Sequence, residues 1–290
     1  MLSGLVTSSI KEEVRSWLYD DCPKMDIGGF VVGEKLESAN LYCKSTTVLA
    51  GIPFANEVFL QCNVTCTWLV EEGTKVMVSK DAPKVVIATV QGKAKDILLA
   101  ERVSLNILSR ASGIASAARS AAHIKEGCKW GGFVAGTRKT TPGFASVEKY
   151  ALLVGGVATH RMDLSQMVML KDNHIWSAGS ITEAVKKART AAGFSMKIEV
   201  ECQNVEEALE ACSAGADIVM LDNFTHSTIG AAAGFVKEKF PFAMVEASGG
   251  ITEATIHLFM QPSVDIISMG SLTQGYSCAD FSLKIDTQRE

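Results

Sequence analysis

The second half of the sequence, from residue 131 on, alternates short apolar runs with longer segments of helical pattern. Such alternation predicts parallel strands joined by helices, as in a βα barrel or a doubly wound sheet. No Gly-x-Gly-x-x-Gly motif follows the first run, which disfavours a dinucleotide-binding sheet. The predicted strands are Gly132–Ala135, Met167–Leu170, Lys197–Val200, Ile218–Leu221, Ala243–Glu246 and Asp265–Ser268.

The first part of the chain follows a different pattern. Apolar residues at helical spacing from Ile10 to Leu18 precede a region, 27–92, with short segments rich in β-branched residues. A long helical stretch follows at about 94–125. This order predicts a small α+β domain before the barrel. A complete eight-unit barrel takes ~250 residues, so a chain of 290 residues that spends about 130 before its first barrel strand predicts an incomplete barrel of about six to seven strands.

The amino-acid composition limits the kinds of molecule that the protein is expected to bind. Lys and Arg number 28 against 32 Asp and Glu, giving a net charge of −4, which argues against binding nucleic acid or anionic membranes. No apolar run approaches the ~20 residues of a membrane span, and the first ten residues lack the pattern of a signal peptide. The eight cysteines form no Cys-x-x-Cys pair and are expected to be reduced. We expect a cytoplasmic protein, with the nucleus as the other candidate compartment.

Polar, charged or glycine residues follow each of the six predicted strands. In a βα barrel the carboxyl ends of the strands meet at the active site, so these residues are expected to share one mouth. The segments are Gly136-Thr-Arg138-Lys139, Lys171-Asp-Asn-His174, Glu201, Asp222-Asn223, Ser248-Gly249-Gly250 and Met269-Gly270.

The predicted mouth has a cationic and an anionic half. Arginine and lysine bind carboxylates and phosphates, and glycine turns expose backbone N–H groups to phosphate. Two carboxylates from neighbouring strands suit Mg²⁺. These features indicate a small polyanionic, phosphorylated substrate and a divalent ion. The cations are Arg138, Lys139, His160, Arg161 and Lys171; the anions are Glu201 and Asp222; the backbone donors are Ser248, Gly249, Gly250 and Gly270.

Each part of this interpretation has a structural alternative. Residues 160–161 could form a solvated loop, Glu201 and Asp222 could be helix caps, and Gly249-Gly250 could mark an ordinary turn. His174 could serve as a structural hydrogen-bonding residue or in the site. Glu101-Arg102 on the long helix is by default a solvated pair.

The motifs then resemble the signature of the quinolinate phosphoribosyltransferase family, in its eukaryotic branch. The resemblance runs from about Leu41 to Lys284, and the Thr-Arg-Lys-Thr-Thr-Pro block is its most specific part. The matching segments are Ala100-Glu-Arg102-x-x-x-Asn106, Gly136-Thr-Arg-Lys-Thr-Thr-Pro-Gly143, Glu148-Lys-Tyr150, Gly155-Gly156, His160-Arg161-x-Asp163, Lys171-Asp-Asn-His174, Glu199-Val-Glu201, Leu221-Asp-Asn223 and Glu246-Ala-Ser-Gly-Gly-Ile251.

The resemblance implies a reaction and an architecture. Quinolinate and 5-phosphoribosyl 1-diphosphate would give nicotinate mononucleotide, diphosphate and CO₂, a step of de novo NAD biosynthesis. An N-terminal α/β sandwich domain is expected at 1–105, completed by about 272–290, with the open catalytic barrel at 106–271. A homo-oligomer is also implied, as dimers assembled into a hexamer.

The resemblance also assigns roles to residues. Arg138, Lys139, His160, Arg161 and Lys171 would form the quinolinate pocket, and Thr137 would also bind substrate. Arg102 would enter that pocket from a neighbouring subunit. Glu201 and Asp222 would bind the ribose hydroxyls and Mg²⁺, the latter partly through water and diphosphate. Ser248, Gly249, Gly250 and Gly270 would hold the 5-phosphate. Lys139, Lys171, Glu201 and Asp222 are the expected catalytic residues.

Three other functions remain open on the sequence. A nicotinate-using phosphoribosyltransferase would not release CO₂, although its single carboxylate needs fewer cations than the five residues present. A lyase could form a Schiff base on Lys139, Lys171 or Lys197. A non-catalytic metabolite-binding protein could have kept the pocket.

Overall fold

The computed structural model describes residues 2–5 and 7–286. The chain packs as two compact units. The first takes in the chain up to Arg119, then Thr141–Gly156, and then the chain from Tyr276 on. The second takes in Ser120–Thr140 and Val157–Gly275. The domain boundaries expected from the sequence, at 105/106 and 271/272, stay a prediction.

Helices and strands are numbered in chain order within the described residues. The helices are α1 (Ile10–Asp21), α2 (Ile27–Val32), α3 (Ile52–Gln61), α4 (Ala94–Gly127), α5 (Ala145–Gly155), α6 (Asp172–Ala178), α7 (Ile181–Ala192), α8 (Val205–Ala214), α9 (Ile229–Lys239) and α10 (Ile256–Phe259). The strands are β1 (Leu36–Cys43), β2 (Thr47–Val48), β3 (Thr65–Trp68), β4 (Lys75–Val76), β5 (Val85–Lys93), β6 (Phe133–Ala135), β7 (Val168–Leu170), β8 (Ile198–Cys202), β9 (Ile218–Asp222), β10 (Met244–Ser248), β11 (Ile266–Ser268) and β12 (Phe281–Ile285).

The first unit is built on an antiparallel sheet in the order β12-β1-β5-β3. Alternate residues of β1 (Ala39, Leu41 and Cys43) are buried, which gives the sheet one packed face. Strand β12, from the last part of the sequence, pairs with β1 at one edge of this sheet. Helix α3 has Pro53 in its first turn, where the missing N–H of proline costs no hydrogen bond.

A half-buried carboxylate binds backbone N–H groups at the start of α3. Glu72 accepts hydrogen bonds from the backbone N–H groups of Gly51, at 2.7 Å, and Ile52, at 3.0 Å. These two groups are among the first-turn donors that a helix leaves without internal partners. Burial, opposed by the two backbone hydrogen bonds, raises the pKa of Glu72 from 4.5 to about 7.

The second unit is built on an open parallel sheet in the order β6-β11-β10-β9-β8-β7. Helices α6 to α9 connect these strands, as the alternating pattern predicted. A single parallel bridge between Ala135 and Ala158 extends the sheet beyond β6. The strand β9 is buried along its length except at Asp222, which suits a strand covered on both faces. The predicted fold class, an incomplete parallel barrel with a separate N-terminal sheet domain, is confirmed.

Two sequence expectations differ from the structure in extent. Strand β8 continues through Cys202, so Glu201 lies within the strand and not after it. The sequence pattern of 252–260 also predicts a helix, but only the four residues of α10 are helical there, preceded by turns. Among the described helices, none combines the length and the apolar character needed to cross a membrane.

Candidate active site

A cavity of about 510 Å³ lies within the second unit, where the strands of the parallel sheet end. Most of the site residues predicted from the sequence line it. They are Thr137, Arg138, Lys139, His160, Arg161, Lys171, Glu201, Asp222, Ser248, Gly249 and Gly250. The parallel sheet explains this convergence, because it brings the carboxyl ends of its strands to one edge.

Two predicted residues are outside the lining. Gly270 follows β11 and adjoins the site, since a Cβ atom there would lie 3.1 Å from Cδ of Lys139. Thr273, in the same turn, donates a hydrogen bond from Oγ1 to the backbone oxygen of Lys139 at 2.7 Å. Arg102 is exposed on α4 in the first unit. Its proposed entry into a neighbour's site stays a prediction.

The cationic side of the cavity contains two arginines close enough to repel each other. Burial and then the charge of Arg138 lower the pKa of Arg161 from its ordinary value. The guanidinium of Arg161 donates from Nη1 to the backbone oxygen of Met167 at 3.3 Å. The guanidinium of Arg161 is partly buried and lies close to that of the exposed Arg138, so an anion that accepts hydrogen bonds from both would stabilise the two charges.

The anionic side consists of Glu201 and Asp222, which we call the outer pair. Lys171 Nζ donates to Glu201 Oε2. Burial and then the charge of Glu201 raise the pKa of Asp222, so the two carboxylates repel each other. A divalent cation would relieve that repulsion, and carboxylate oxygens are the ligands that Mg²⁺ prefers. The alternative role as helix caps is excluded, because Asn204 caps α8 and Thr228 precedes α9.

The Ser248-Gly249-Gly250 turn requires glycine at its centre. Gly249 has φ of +101°, and a Cβ atom there would lie 2.3 Å from Oδ1 of Asn223. The neighbouring Gly250, at φ +62°, has open space where its Cβ would be. The backbone N–H of Asn223 donates to the oxygen of Ser248 at 2.9 Å, which joins this turn to the end of β9.

Two glutamates that were given no role from the sequence lie at the cavity: Glu246 is part of its lining, and Glu199 lies beside His160 without lining it. Glu199 on β8 and Glu246 on β10 are fully buried, and we call them the inner pair. Strand alternation could have found Glu199, since it lies two residues before Glu201 and so faces the same way. Desolvation first, and then the proximity of Glu246, raise the pKa of Glu199 well above its usual value. The other lining residues missed from the sequence are Met169, Met220 and Ser268, whereas Asn223 was expected at the mouth without a stated role.

His160 is held by both of its ring nitrogens. Its Nε2 lies 3.0 Å from Glu246 Oε2 and 3.7 Å from Glu199 Oε2. Its Nδ1 accepts the backbone N–H of Arg161 at 2.9 Å. In the described part of the chain, these three side chains form the one group of three potential metal ligands whose donor atoms all lie within 4.8 Å. The side chain of His160 is only 8% exposed, so the solvated-loop alternative fails for this residue.

Two other residues considered from the sequence, His174 and Lys197, make contacts that do not involve the cavity. His174 Nδ1 accepts the backbone N–H of Lys171 at 3.1 Å, which fixes the first turn of α6 and supports its structural role. Lys197 precedes β8, at the amino end of the strand, and its Nζ lies 3.2 Å from Met244 Sδ. Lys197 does not line the cavity, which excludes it as the Schiff-base lysine of this site.

The fold and the cavity together define an α/β-barrel enzyme for small polyanions. Arginines and lysines line one part of the cavity, carboxylates suited to a divalent ion line another, and a glycine turn offers backbone donors for phosphate.

Comparison with known protein families shows which family within this enzyme class the chain resembles. The model of the quinolinate phosphoribosyl transferase N-terminal domain matches residues 27–112, and that of the C-terminal domain matches residues 114–284. The chain is 50% identical to the carboxylating nicotinate-nucleotide pyrophosphorylase of rat over 281 residues, 97% of this chain and 92% of the relative. It is 50% identical to the human protein of the same name over 272 residues, 94% and 90% of the two chains.

Solved structures agree with these sequence matches. The nicotinate-nucleotide pyrophosphorylase of Francisella tularensis superposes with a TM-score of 0.86 at 33% identity, over 97% of this chain and 98% of that one. The chain therefore belongs to the quinolinate phosphoribosyl transferase family. The family and the enzyme class predicted from the sequence, a phosphoribosyltransferase, are confirmed. Enzymes of this type typically need a divalent metal ion.

Proposed function

We propose that this chain transfers the phosphoribosyl group of 5-phosphoribosyl 1-diphosphate to quinolinate and releases CO₂, giving nicotinate mononucleotide and diphosphate. The observation that carries the proposal is one cavity in which a cationic cluster and a carboxylate pair face the same space. Family membership supports the same activity.

The cationic cluster suits a dicarboxylate. Quinolinate carries two adjacent carboxylates, and the two guanidinium groups of Arg138 and Arg161 repel each other until such an anion binds. Lys139 and Lys171 add point charges, and Thr137 adds a hydroxyl at the edge of the cavity. Nicotinate has one carboxylate and would leave part of this cluster without a partner.

The carboxylate pair suits the second substrate. We assign Glu201 and Asp222 to the ribose hydroxyls and to Mg²⁺, partly through water and the diphosphate. When bound, the ion neutralises charge on the diphosphate as it leaves. The turn at Ser248, Gly249 and Gly250, with Gly270 beside it, would hold the 5-phosphate through backbone N–H groups.

The chemistry requires positioning more than covalent participation. The pyridine nitrogen of quinolinate attacks C1 of the ribosyl group while the bond from C1 to the diphosphate breaks. Lys139 and Lys171 stabilise the negative charge of the leaving diphosphate, and the outer pair tolerates positive charge at C1. The carboxylate next to the ring nitrogen then leaves as CO₂, its bonding electrons pass to the ring carbon, and a proton takes its place.

A comparison of two acids tests the proposal. The purified chain is incubated with 5-phosphoribosyl 1-diphosphate, Mg²⁺ and either quinolinate or nicotinate, and nucleotide and CO₂ are measured. We expect nicotinate mononucleotide and CO₂ in equal amounts from quinolinate, and little product from nicotinate. Nucleotide formation from nicotinate without CO₂ would support the rival transferase. Tight quinolinate binding without turnover would support a metabolite-binding protein.

We further propose a homo-oligomer, of dimers assembled into a hexamer, in which Arg102 completes a neighbour's quinolinate pocket. The exposure of Arg102 on α4 is compatible with such a contact. Inactive Arg102→Ala and Lys171→Ala chains, mixed in equal amounts under conditions of subunit exchange, should regain about a quarter of wild-type activity. About half of the randomly formed dimers contain one chain of each kind, and each of these mixed dimers has one intact site out of two. No recovery after demonstrated exchange would contradict the shared site.

A further inference from the structure

His160 occupies an unusual backbone position beside the cavity. Its φ of +58° lies in the left-handed region, which side chains other than glycine adopt only where the surroundings hold them there. The next residue is Arg161, whose guanidinium lines the cavity. Whatever holds His160 in this conformation therefore also sets the point from which Arg161 reaches the substrate.

The hydrogen bonds of His160 assign its tautomer. Because Nδ1 accepts the Arg161 backbone N–H at 2.9 Å, that nitrogen carries no proton. The proton of the neutral ring is then on Nε2, which donates to Glu246 Oε2 at 3.0 Å. No ring N–H is left to donate to a substrate carboxylate.

The anchor of this arrangement is rigid. Glu246 lies in the middle of β10, with its backbone paired to β9 on one side and β11 on the other. It borders the cavity, but its side chain is fully buried in the protein without substrate. A fixed acceptor on a central strand thus defines where the imidazole ring lies.

We propose that Glu246 is a positioning residue, which acts through His160 to set the loop that presents Arg161 to the quinolinate carboxylates. The proposal rests on the proposed function for the identity of the substrate. The hydrogen bonds that link Arg161, His160 and Glu246 do not depend on that function, because they are present in the protein without substrate. In this respect Glu246 resembles the carboxylates that accept the second ring N–H of a metal-bound or catalytic histidine and so fix its tautomer and direction.

The first test is made on the wild-type chain without substrate. Nitrogen NMR of histidine-labelled protein, with His160 identified by its loss in His160→Gln, reports which ring nitrogen is protonated. We expect a proton on Nε2 and none on Nδ1. A protonated Nδ1 in the neutral ring would overturn the proposal, whatever the reaction catalysed.

The second test is a double-mutant cycle with Glu246→Ala and His160→Ala. If Glu246 acts through His160, Glu246→Ala alone should raise KM for quinolinate roughly tenfold or more, as expected for loss of a hydrogen bond to a charged group, with KM for the ribosyl diphosphate little changed. In the His160→Ala background the same change should have little further effect. Additive losses, or equal losses for both substrates, would overturn the proposal.

Conservative and matched variants separate positioning from stability. Glu246→Gln keeps an acceptor oxygen for Nε2 and should retain KM for quinolinate within about threefold. Val245→Ala removes buried volume from the neighbouring position of β10 and should lower the melting temperature without a selective change in KM for quinolinate. Failure of Glu246→Gln to rescue, with the fold intact, would contradict the assignment. If Glu246→Ala does not fold, the tautomer of His160 and the KM for quinolinate of Glu246→Gln still test the proposal.

Discussion

The outer and inner carboxylate pairs belong to the same parallel sheet but have different partners. The outer pair lies on the neighbouring strands β8 and β9, whereas the inner pair lies on β8 and β10, with β9 between them. Glu201 and Asp222 lie at or near the ends of β8 and β9, where Lys171 and solvent reach them. Glu199 and Glu246 lie further back along β8 and β10, are fully buried, and face His160. On β8, a step of only two residues separates the two environments.

The difference shows how one sheet face can serve two purposes. At the strand ends, the carboxylates are partly exposed at the cavity and Glu201 is paired with Lys171, an arrangement that suits binding a cation and a substrate. Two residues further in, desolvation raises the pKa of Glu199 well above its usual value, and the carboxylates instead fix a neighbouring side chain. The comparison predicts that charge matters in the outer pair, whereas in the inner pair hydrogen-bond geometry matters.

The largest effect is expected from the outer pair. Glu201→Gln and Asp222→Asn each remove a negative charge but keep the size and shape of the side chain. We expect kcat/KM for the ribosyl diphosphate to fall by about 100-fold or more, since each carboxylate faces charge that develops during transfer. Steady-state kinetics with varied ribosyl diphosphate measures the loss.

An exposed glutamate on the same unit provides the control. Glu206 lies on the solvent side of α8, and Glu206→Gln should leave both kinetics and thermal unfolding unchanged. If Glu201→Gln also retained wild-type kcat/KM, the division of roles between outer and inner pairs would fail.

A smaller effect is expected from the glycine turn beside Asp222. Gly249→Ala brings a Cβ atom to 2.3 Å from Asn223 Oδ1 and 2.8 Å from its backbone nitrogen, so the turn must shift. We expect a raised KM for the ribosyl diphosphate and about 1–3 kcal/mol lower stability. The matched change Gly250→Ala meets no atom within 4 Å and should be milder in both respects. Equal effects at the two positions would show that contact with Asn223 is unimportant.

Glu72 in the first unit extends the comparison to a half-buried carboxylate whose partners are backbone N–H groups. Its pKa is raised from 4.5 to about 7, so the folded state holds the proton more tightly than the unfolded state. Its contribution to stability is therefore greatest below pH about 4.5 and is lost as pH rises through about 7.

The change Glu72→Gln should remove this dependence. Relative to the variant, the wild-type chain should lose roughly 2 kcal/mol of unfolding free energy between about pH 5 and 8, less than the full pKa shift implies because the group is partly solvated. Thermal unfolding of both chains across this pH range measures the difference. Parallel curves would show that Glu72 does not titrate in this window.

The smallest effect is expected from metal alone. Mg²⁺ at ten times its dissociation constant should raise the stability of the wild-type chain by about 1.4 kcal/mol, and should not stabilise Glu201→Gln or Asp222→Asn. Unfolding with added Mg²⁺ and with a chelator measures this. Stabilisation of both variants equal to that of the wild type would place the ion elsewhere.

The sequence predicted the parallel strands and the residues that end them because both depend on local pattern. Apolar runs mark buried strands, and parallel topology then brings their ends together, so Arg138, Lys171 and Asp222 could be assigned to one mouth from their order in the chain. The antiparallel pairing of β12 with β1 depends on contacts across most of the chain, and only the family resemblance indicated it.

Local pattern was insufficient where side-chain contacts decide the outcome. Ser9-Ile-Lys-Glu12 has the spacing of a capping box, yet Ser9 has helical dihedral angles and caps nothing with its side chain. His160 could be interpreted as a cation of the pocket, whereas its contacts with Glu246 and with the Arg161 N–H use both ring nitrogens. Position on a strand could indicate that Glu199 faces inward, but not which partner it meets there.

A crystal structure of the wild-type chain with quinolinate tests the central claim most directly. We predict that the ring lies in the second unit's cavity, with its two carboxylates within hydrogen-bond distance of the Arg138 and Arg161 guanidinium groups. The ring should lie above His160, whose Nε2 still contacts Glu246, while the outer pair remains free for the second substrate. Quinolinate bound elsewhere, or an empty cavity at saturating concentration, would contradict the account.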